Sequence, residues 1–187
     1  MYEMNDLRQG VIISLDGQPY EVLWSDFMRT AQRKPVMRTK LRHLISGNIL
    51  EQTFKPNDKI DEADLTRSKG SYLYSDEESH HFMDQESFEQ FFISKKSLGE
   101  KAQYLKDGLI VDVMVLDGKP ITVQLPKKVE YTVKDAPPGV KGDTATNVFK
   151  TVTLENGMEL KVPLFINQGD VVRVNTESGE YTERVTS

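Results

Sequence analysis

Residues 28–42 read Met-Arg-Thr-Ala-Gln-Arg-Lys-Pro-Val-Met-Arg-Thr-Lys-Leu-Arg, with Arg29, Arg33, Lys34, Arg38, Lys40 and Arg42 and no acid among them. Basic residues at this density suit a polyanion. Phosphate is the favoured one, because neutralising phosphates releases condensed counterions. If all six met phosphates on a duplex, log K against log salt would fall with a slope of roughly −5. A solvated outer face is the plainer account, since edge strands use lysine against aggregation. Ordinary surfaces intersperse the two signs, however, so a polyanion-facing element explains the run better.

Other chemistry is sparse. The three histidines are His43, His80 and His81. His80 and His81 are adjacent in an expected strand, so they face opposite ways and do not readily share a metal. The absence of cysteine removes disulfides, thiolate metal sites and thiol nucleophiles. No nucleophile elbow, zinc-protease motif, phosphate loop or dinucleotide fingerprint appears. The pair Glu77-Glu78 falls at an expected turn tip, where solvation accounts for it. Tyr72, Tyr74 and Phe82 alternate in strand-like runs and could stack bases on a barrel surface. Core packing is the simpler reading for them, as it is for Phe88, Phe91 and Phe92. The sequence therefore implies no catalytic residue, no metal and no cofactor.

The elements that position the basic run are strands. Pro19–Phe27 and Val36–Leu44 both have strand character, which makes the intervening segment the loop of a long hairpin. In the return strand side chains alternate, so Arg38, Lys40 and Arg42 share one face and Met37, Thr39 and Leu41 the other. The tip has no large apolar anchor and is expected to be exposed. Asp16-Gly17 and Asp117-Gly118 each sit between β-prone runs, the strongest short hairpin signal. Further strand runs are expected at 11–14, 109–116, 129–133, 161–165 and 171–174. Many short strands at this spacing predict an all-β chain of barrels or sandwiches. Residues 87–98 fit helix, strand or irregular structure equally, and 97–105 has room for two helical turns before Gly108.

The chain has 187 residues, with 24 Lys+Arg against 29 Asp+Glu, a formal charge of −5. Joints are expected at the polar stretch 56–67 and at 134–142, which contains Pro137-Pro138-Gly139. A second boundary near 126–129, where one strand run ends and another begins, divides the chain into 1–65, 66–127 and 128–187. No window approaches a membrane span, and the N-terminus is neither basic nor apolar as a secretory signal would be. An acidic total with one basic segment disfavours indiscriminate nucleic-acid binding and favours one specific RNA-rich partner.

The chain resembles the bacterial elongation factor P family over essentially its whole length. The first third matches at Asp6-Leu7-Arg8-Gln9-Gly10, Gly17-Gln18-Pro19-Tyr20, Lys40-Leu41-Arg42 and Gln52-Thr53-Phe54-Lys55. The middle matches at Tyr72-Leu73-Tyr74, His81-Phe82-Met83 and Phe88-Glu89-Gln90. The last third is the most specific. It carries Pro138-Gly139-Val140-Lys141-Gly142-Asp143-Thr144-Ala145, Val162-Pro163-Leu164-Phe165, and Thr176 through Gly179 and Tyr181 to Arg184-Val185.

The resemblance implies an SH3-like (KOW-type) N-terminal barrel followed by two OB-fold barrels. It also implies a monomeric, cytoplasmic translation factor that binds the 70S ribosome between the P and E sites, against rRNA and the P-site peptidyl-tRNA. Such a factor promotes peptide-bond formation at consecutive prolines. By the same resemblance the basic hairpin (Arg29, Arg33, Lys34, Arg38, Lys40, Arg42) contacts tRNA and rRNA. The loop Gly142, Asp143, Thr144, Ala145 lies by the E-site mRNA codon, and Tyr181 and Arg184 contact the small subunit. In equal-length register Gln32 stands where relatives carry a modified lysine or arginine, followed by Arg33 and Lys34. Glutamine has neither amine nor guanidine, so either the tip works unmodified, with Gln32 itself sufficing, or the modification has moved to Arg33 or Lys34. The expectation is an unmodified tip. Two other readings stay open: an elongation factor P-like paralogue with different stall targets, and an OB-fold RNA-binding chaperone. The Asp143-Thr144-Ala145 loop and the ending at 176–184 favour the first reading over the paralogue. The net charge of −5 weighs against the chaperone.

Overall fold

In the computed structural model, which describes residues 1–29, 34–138 and 149–185, the strand content falls into three five-stranded antiparallel sheets. The first contains β1 (Ile12–Leu15), β2 (Gln18–Met28), β3 (Val36–His43), β4 (Ile49–Phe54) and β5 (Asp61–Glu62), ordered β4-β3-β2-β1-β5. The second contains β6 (Thr66–Ser75), β7 (Ser79–Asp84), β8 (Gln90–Ser94), β9 (Ile110–Leu116) and β10 (Lys119–Gln124), ordered β10-β9-β6-β7-β8. Its two edge strands meet, closing a barrel. The third contains β11 (Lys128–Asp135), β12 (Phe149–Leu154), β13 (Glu159–Pro163), β14 (Val171–Asn175) and β15 (Tyr181–Arg184), ordered β13-β12-β11-β14-β15. The expected all-β class is what the chain adopts.

Each sheet encloses its own apolar core. Ile13, Val22, Leu41 and Phe54 fill the first, Phe82, Val111, Val113 and Val123 the second, Tyr131, Leu154, Val162 and Val172 the third. Both Asp-Gly pairs form the expected two-residue hairpin turns. Asp16, Gly17, Asp117 and Gly118 all take positive φ, joining Leu15 to Gln18 and Leu116 to Lys119.

The ambiguous segment 87–98 resolves into β8 followed by one helical turn, α1 (Lys95–Leu98), whose first N–H groups are capped by the Ser94 hydroxyl. A 3-10 turn, Gly99–Tyr104, continues directly from it. Together they form a bracket against which all three barrels rest. Ser97 Oγ donates to Ile45 O, and Lys96 Nζ to Asn48 Oδ1, tying it to the first barrel. On the other side Asn156 Nδ2 donates to Gln103 O, and the Tyr131 hydroxyl to Tyr104 O, tying it to the third. Of the expected aromatic core stripe only Phe91 is inside. Phe88 and Phe92 are 69% and 65% exposed, because Phe88 occupies a turn at positive φ and Phe92 alternates to the outer face of β8.

Candidate nucleic-acid interface

β2 and β3 form the longest ribbon of the first barrel and extend past its core. The register pairs Trp24 with Lys40, Ser25 with Thr39, Asp26 with Arg38 and Phe27 with Met37. As expected, Met37, Thr39 and Leu41 turn inward and are buried, while Arg38 and Lys40 are exposed. The Arg38 guanidinium lies across the ribbon from Met28, with Nη1 3.8 Å from Sδ. Arg29 and Lys34, both exposed, lie beyond the last rung, Met28 opposite Val36. Gln32 and Arg33 fall outside the described residues.

The ladder also supplies what the linear run lacks. Asp26 stands opposite Arg38, Glu51 of β4 opposite Lys40, and Glu21 opposite Arg42. The unopposed positive charge is therefore concentrated toward the distal end of the ribbon, at Arg29 and Lys34, rather than spread along it.

One residue that pattern reading placed only as part of a strand belongs to this surface. Strict alternation from the buried Val22 would turn Trp24 inward. A bulge between Val22 and Trp24 inserts Leu23 and re-aims the indole outward, where it is 52% exposed beside Lys40. An exposed indole next to an exposed ammonium offers a stacking plane and a phosphate contact within one rung. The single tryptophan of the chain was the available signal. What a linear pattern does not reveal is the bulge.

Arg42 departs from its expected role. It keeps the same side of β3 as Arg38 and Lys40, but the bracket covers it, leaving it 8% exposed with Nη1 3.1 Å from Leu98 O. Glu21, 3% exposed, is paired with Lys101 on the same bracket. These charges hold two barrels together, with Glu21 and Arg42 largely withdrawn from solvent. The concavity of about 560 Å³ beside them is lined from all three barrels with equal numbers of acidic and basic side chains. It reads as the seam of the assembly, not as an anion site.

In the third barrel the loop Gly142, Asp143, Thr144 and Ala145 lies outside the described residues. Tyr181 is half-buried against the core. Arg184 lies over the Phe165 ring at 5.6 Å, with Nη1 3.7 Å from Asp170. Arg173 bridges Glu130 and Glu183 on neighbouring strands, and those hydrogen bonds push its guanidinium pKa up and the Glu183 carboxyl down. Among the described residues there is no cluster of His, Cys, Asp or Glu fit for a metal, and no helix is long and apolar enough to cross a membrane.

Three family descriptions cover the chain in order. "Elongation factor P (EF-P) KOW-like domain" matches residues 3–60, "Elongation factor P (EF-P) OB domain" 65–123, and "Elongation factor P, C-terminal" 129–184. The Elongation factor P of Natranaerobius thermophilus is 40% identical over 185 residues, spanning 99% of this chain and 98% of its own. That of Pectobacterium atrosepticum is 42% identical over 184 residues, covering 98% of each. Among solved structures, eukaryotic translation initiation factor 5A from Methanococcus jannaschii superposes at a TM-score of 0.43 and 18% identity, covering 66% of this chain and 92% of its own. A KOW-like barrel, an OB barrel and a third β-sheet unit in this order, matched end to end at this identity, place the chain in the elongation factor P family of translation elongation factors.

Proposed function

We propose that the protein binds the ribosome between the P and E sites, grips the P-site peptidyl-tRNA with the distal end of the β2–β3 ribbon, and promotes peptide-bond formation at consecutive prolines. The observation that carries this reading is the ribbon itself: Arg29, Lys34, Arg38 and Lys40 are exposed on it with Trp24 beside them. In this reading the factor contributes no catalytic group. Its gain is positional, since holding the peptidyl end in an attack-ready geometry removes entropy from the barrier. The chain acts as a cytoplasmic monomer of three domains, 1–65, 66–127 and 128–187. The tip works unmodified at Gln32, with Arg33 and Lys34 supplying charge. The loop Gly142, Asp143, Thr144 and Ala145 meets the E-site codon, and Tyr181 and Arg184 lie toward the small subunit.

The test is translation of a reporter with consecutive prolines on ribosomes of the native system lacking the factor. Added protein restores full-length product, and failure to do so removes the reading. A reporter panel with other stall sequences separates it from a paralogue with different targets. Tight binding to free RNA in a filter assay would instead mark a general RNA binder. Intact-mass spectrometry of the native protein returns the bare-sequence mass if the tip is unmodified.

A further inference from the structure

The outer face of the middle barrel carries a row of aromatic side chains, one on each of three neighbouring strands. Tyr74 of β6 pairs in the ladder with His81 of β7, and His81 with Phe92 of β8. Tyr74 lies flat on His81, with centroids 4.5 Å apart and planes at 16°; Phe92 follows at 6.2 Å and 46°. Tyr74 and Phe92 are 52% and 65% exposed. As with Trp24, the exposure is built in by the backbone. Tyr72 packs in the core, alternation would send Tyr74 after it, and a bulge between the two inserts Leu73 and turns Tyr74 outward. The middle ring is fixed from below. His81 Nε2 is 2.6 Å from Asp76 Oδ2, and the other Asp76 oxygen accepts from the Glu78 and Ser79 N–H groups.

A held row of exposed rings suits a flat partner, either a nucleobase or a guanidinium. Charge decides between them. Residues 75–94 contain six acids, Asp76, Glu77, Glu78, Asp84, Glu86 and Glu89, and no lysine or arginine. Asp76 and Asp84 are engaged by turn N–H groups. Glu77, Glu78, Glu86 and Glu89 are exposed, and none has an ion pair among the described residues. They frame the row from the two ends of β7, about 20 Å apart at the rise of an extended strand. Two bases border the segment: Lys95, whose N–H donates to Glu78 O, and Lys69, whose carbonyl accepts from the Gln85 N–H and whose ammonium is paired with Asp112. The six acids outnumber them. A phosphodiester is repelled here, whereas an arginine gains both ring faces and carboxylates.

We propose that Tyr74, His81 and Phe92 form a docking site for an arginine-bearing segment of a basic protein partner, with guanidinium groups stacked on the free faces of the exposed Tyr74 and Phe92 rings and flanking bases meeting Glu77 and Glu78. This surface is separate from the β2–β3 ribbon and does not depend on its reading.

The test uses the full chain, isotopically labelled, titrated at low salt with a twelve-residue peptide alternating arginine and glycine. A lysine counterpart and an eight-residue oligouridylate are titrated in parallel. The arginine peptide is expected to shift the amides of Tyr74, His81 and Phe92, with the lysine peptide several-fold weaker because it does not stack. Phe92→Leu and Tyr74→Leu keep apolar bulk without the ring and weaken binding about five-fold each. Glu77→Gln with Glu78→Gln weakens it and flattens its salt dependence. Because these side chains are on the surface, an unchanged remainder of the spectrum shows that each variant is folded. The proposal is overturned if the oligonucleotide shifts the row and the peptide does not. Binding indifferent to the loss of both rings, or no shift at all, overturns it equally. So does concentration-dependent self-association that seats the 29–42 ribbon of a second copy on this face.

Discussion

Glu21 and Arg42 face each other across β2 and β3, yet each leaves the first barrel to hold the same short bracket of the second. Glu21 pairs with Lys101, and Arg42 donates to Leu98 O. Between those two bracket contacts sits Gly99 at φ +62, where a Cβ would run into the Arg42 guanidinium. A buried charge without a partner is costly, so two opposite ones each satisfied by the neighbouring barrel fix where that barrel sits. The base expected on an RNA-facing strand thus sets the direction in which the strand's exposed bases point.

Arg42→Ala is expected to remove about 2–3 kcal/mol of interface stability, as for a buried charged hydrogen bond. Amide exchange at residues 97–101 should accelerate while the core of the first barrel stays protected. Gly99→Ala should act on the same hydrogen bond through the collision and the positive φ. The loss in the double variant should therefore be smaller than the sum of the two single losses, as measured by a double-mutant cycle. Simple additivity would show that Gly99 and Arg42 are not coupled.

Charge reversal at Arg29 and Lys34 should act in the opposite way. Both are exposed beyond the paired rungs, so thermal stability should stay within about 0.5 kcal/mol of the parent. Rescue of consecutive-proline stalling should fall. For every phosphate no longer neutralised, the salt slope of binding should drop by about 1. An unchanged slope would remove these side chains from the phosphate interface.

His80 is buried with neither ring nitrogen hydrogen-bonded; its ring lies 6.2 Å from that of Tyr72, and the charges of Lys95, Asp76 and His81 act on it. Burial first, then the Lys95 charge, holds its pKa below the ordinary histidine value. The unfolded chain therefore takes up a proton that the folded chain refuses. Stability is unaffected by this group above about pH 6.5 and declines as pH falls below it. His80→Leu should remove that decline. It should also add about 1 kcal/mol at neutral pH by deleting two unsatisfied polar atoms. Thermal midpoints of both proteins between pH 8 and 5 check the sign. Asp76, drawn down to about 2 by His81 and two backbone N–H groups, adds a separate loss only as pH falls from near 4 toward 2.

Tyr131 is fully buried, and its hydroxyl donates to Tyr104 O across the joint between the second and third barrels. Burial pushes its phenol pKa well up, so it stays protonated and remains a donor. Tyr131→Phe should cost about 1–2 kcal/mol by leaving a buried carbonyl unmatched. The loss should appear as earlier melting of the third barrel by calorimetry, with the first barrel unchanged.

The sequence by itself determined the strand class, the two Asp-Gly hairpins, the basic run and its alternation, and a family resemblance from end to end. All of these are local or linear, because period-two patterning and turn chemistry are written in neighbouring residues. The tertiary structure alone decided three things. Cross-strand register placed Asp26, Glu51 and Glu21 opposite bases that look unopposed in the chain. Packing of the bracket buried Arg42, which no pattern within β3 separates from Arg38 and Lys40. Two bulges, at Leu23 and Leu73, turned Trp24 and Tyr74 to the outside against the alternation that would have made them core. A bulge adds one residue to one strand only, so its effect on facing exists only once the partner strand is in place.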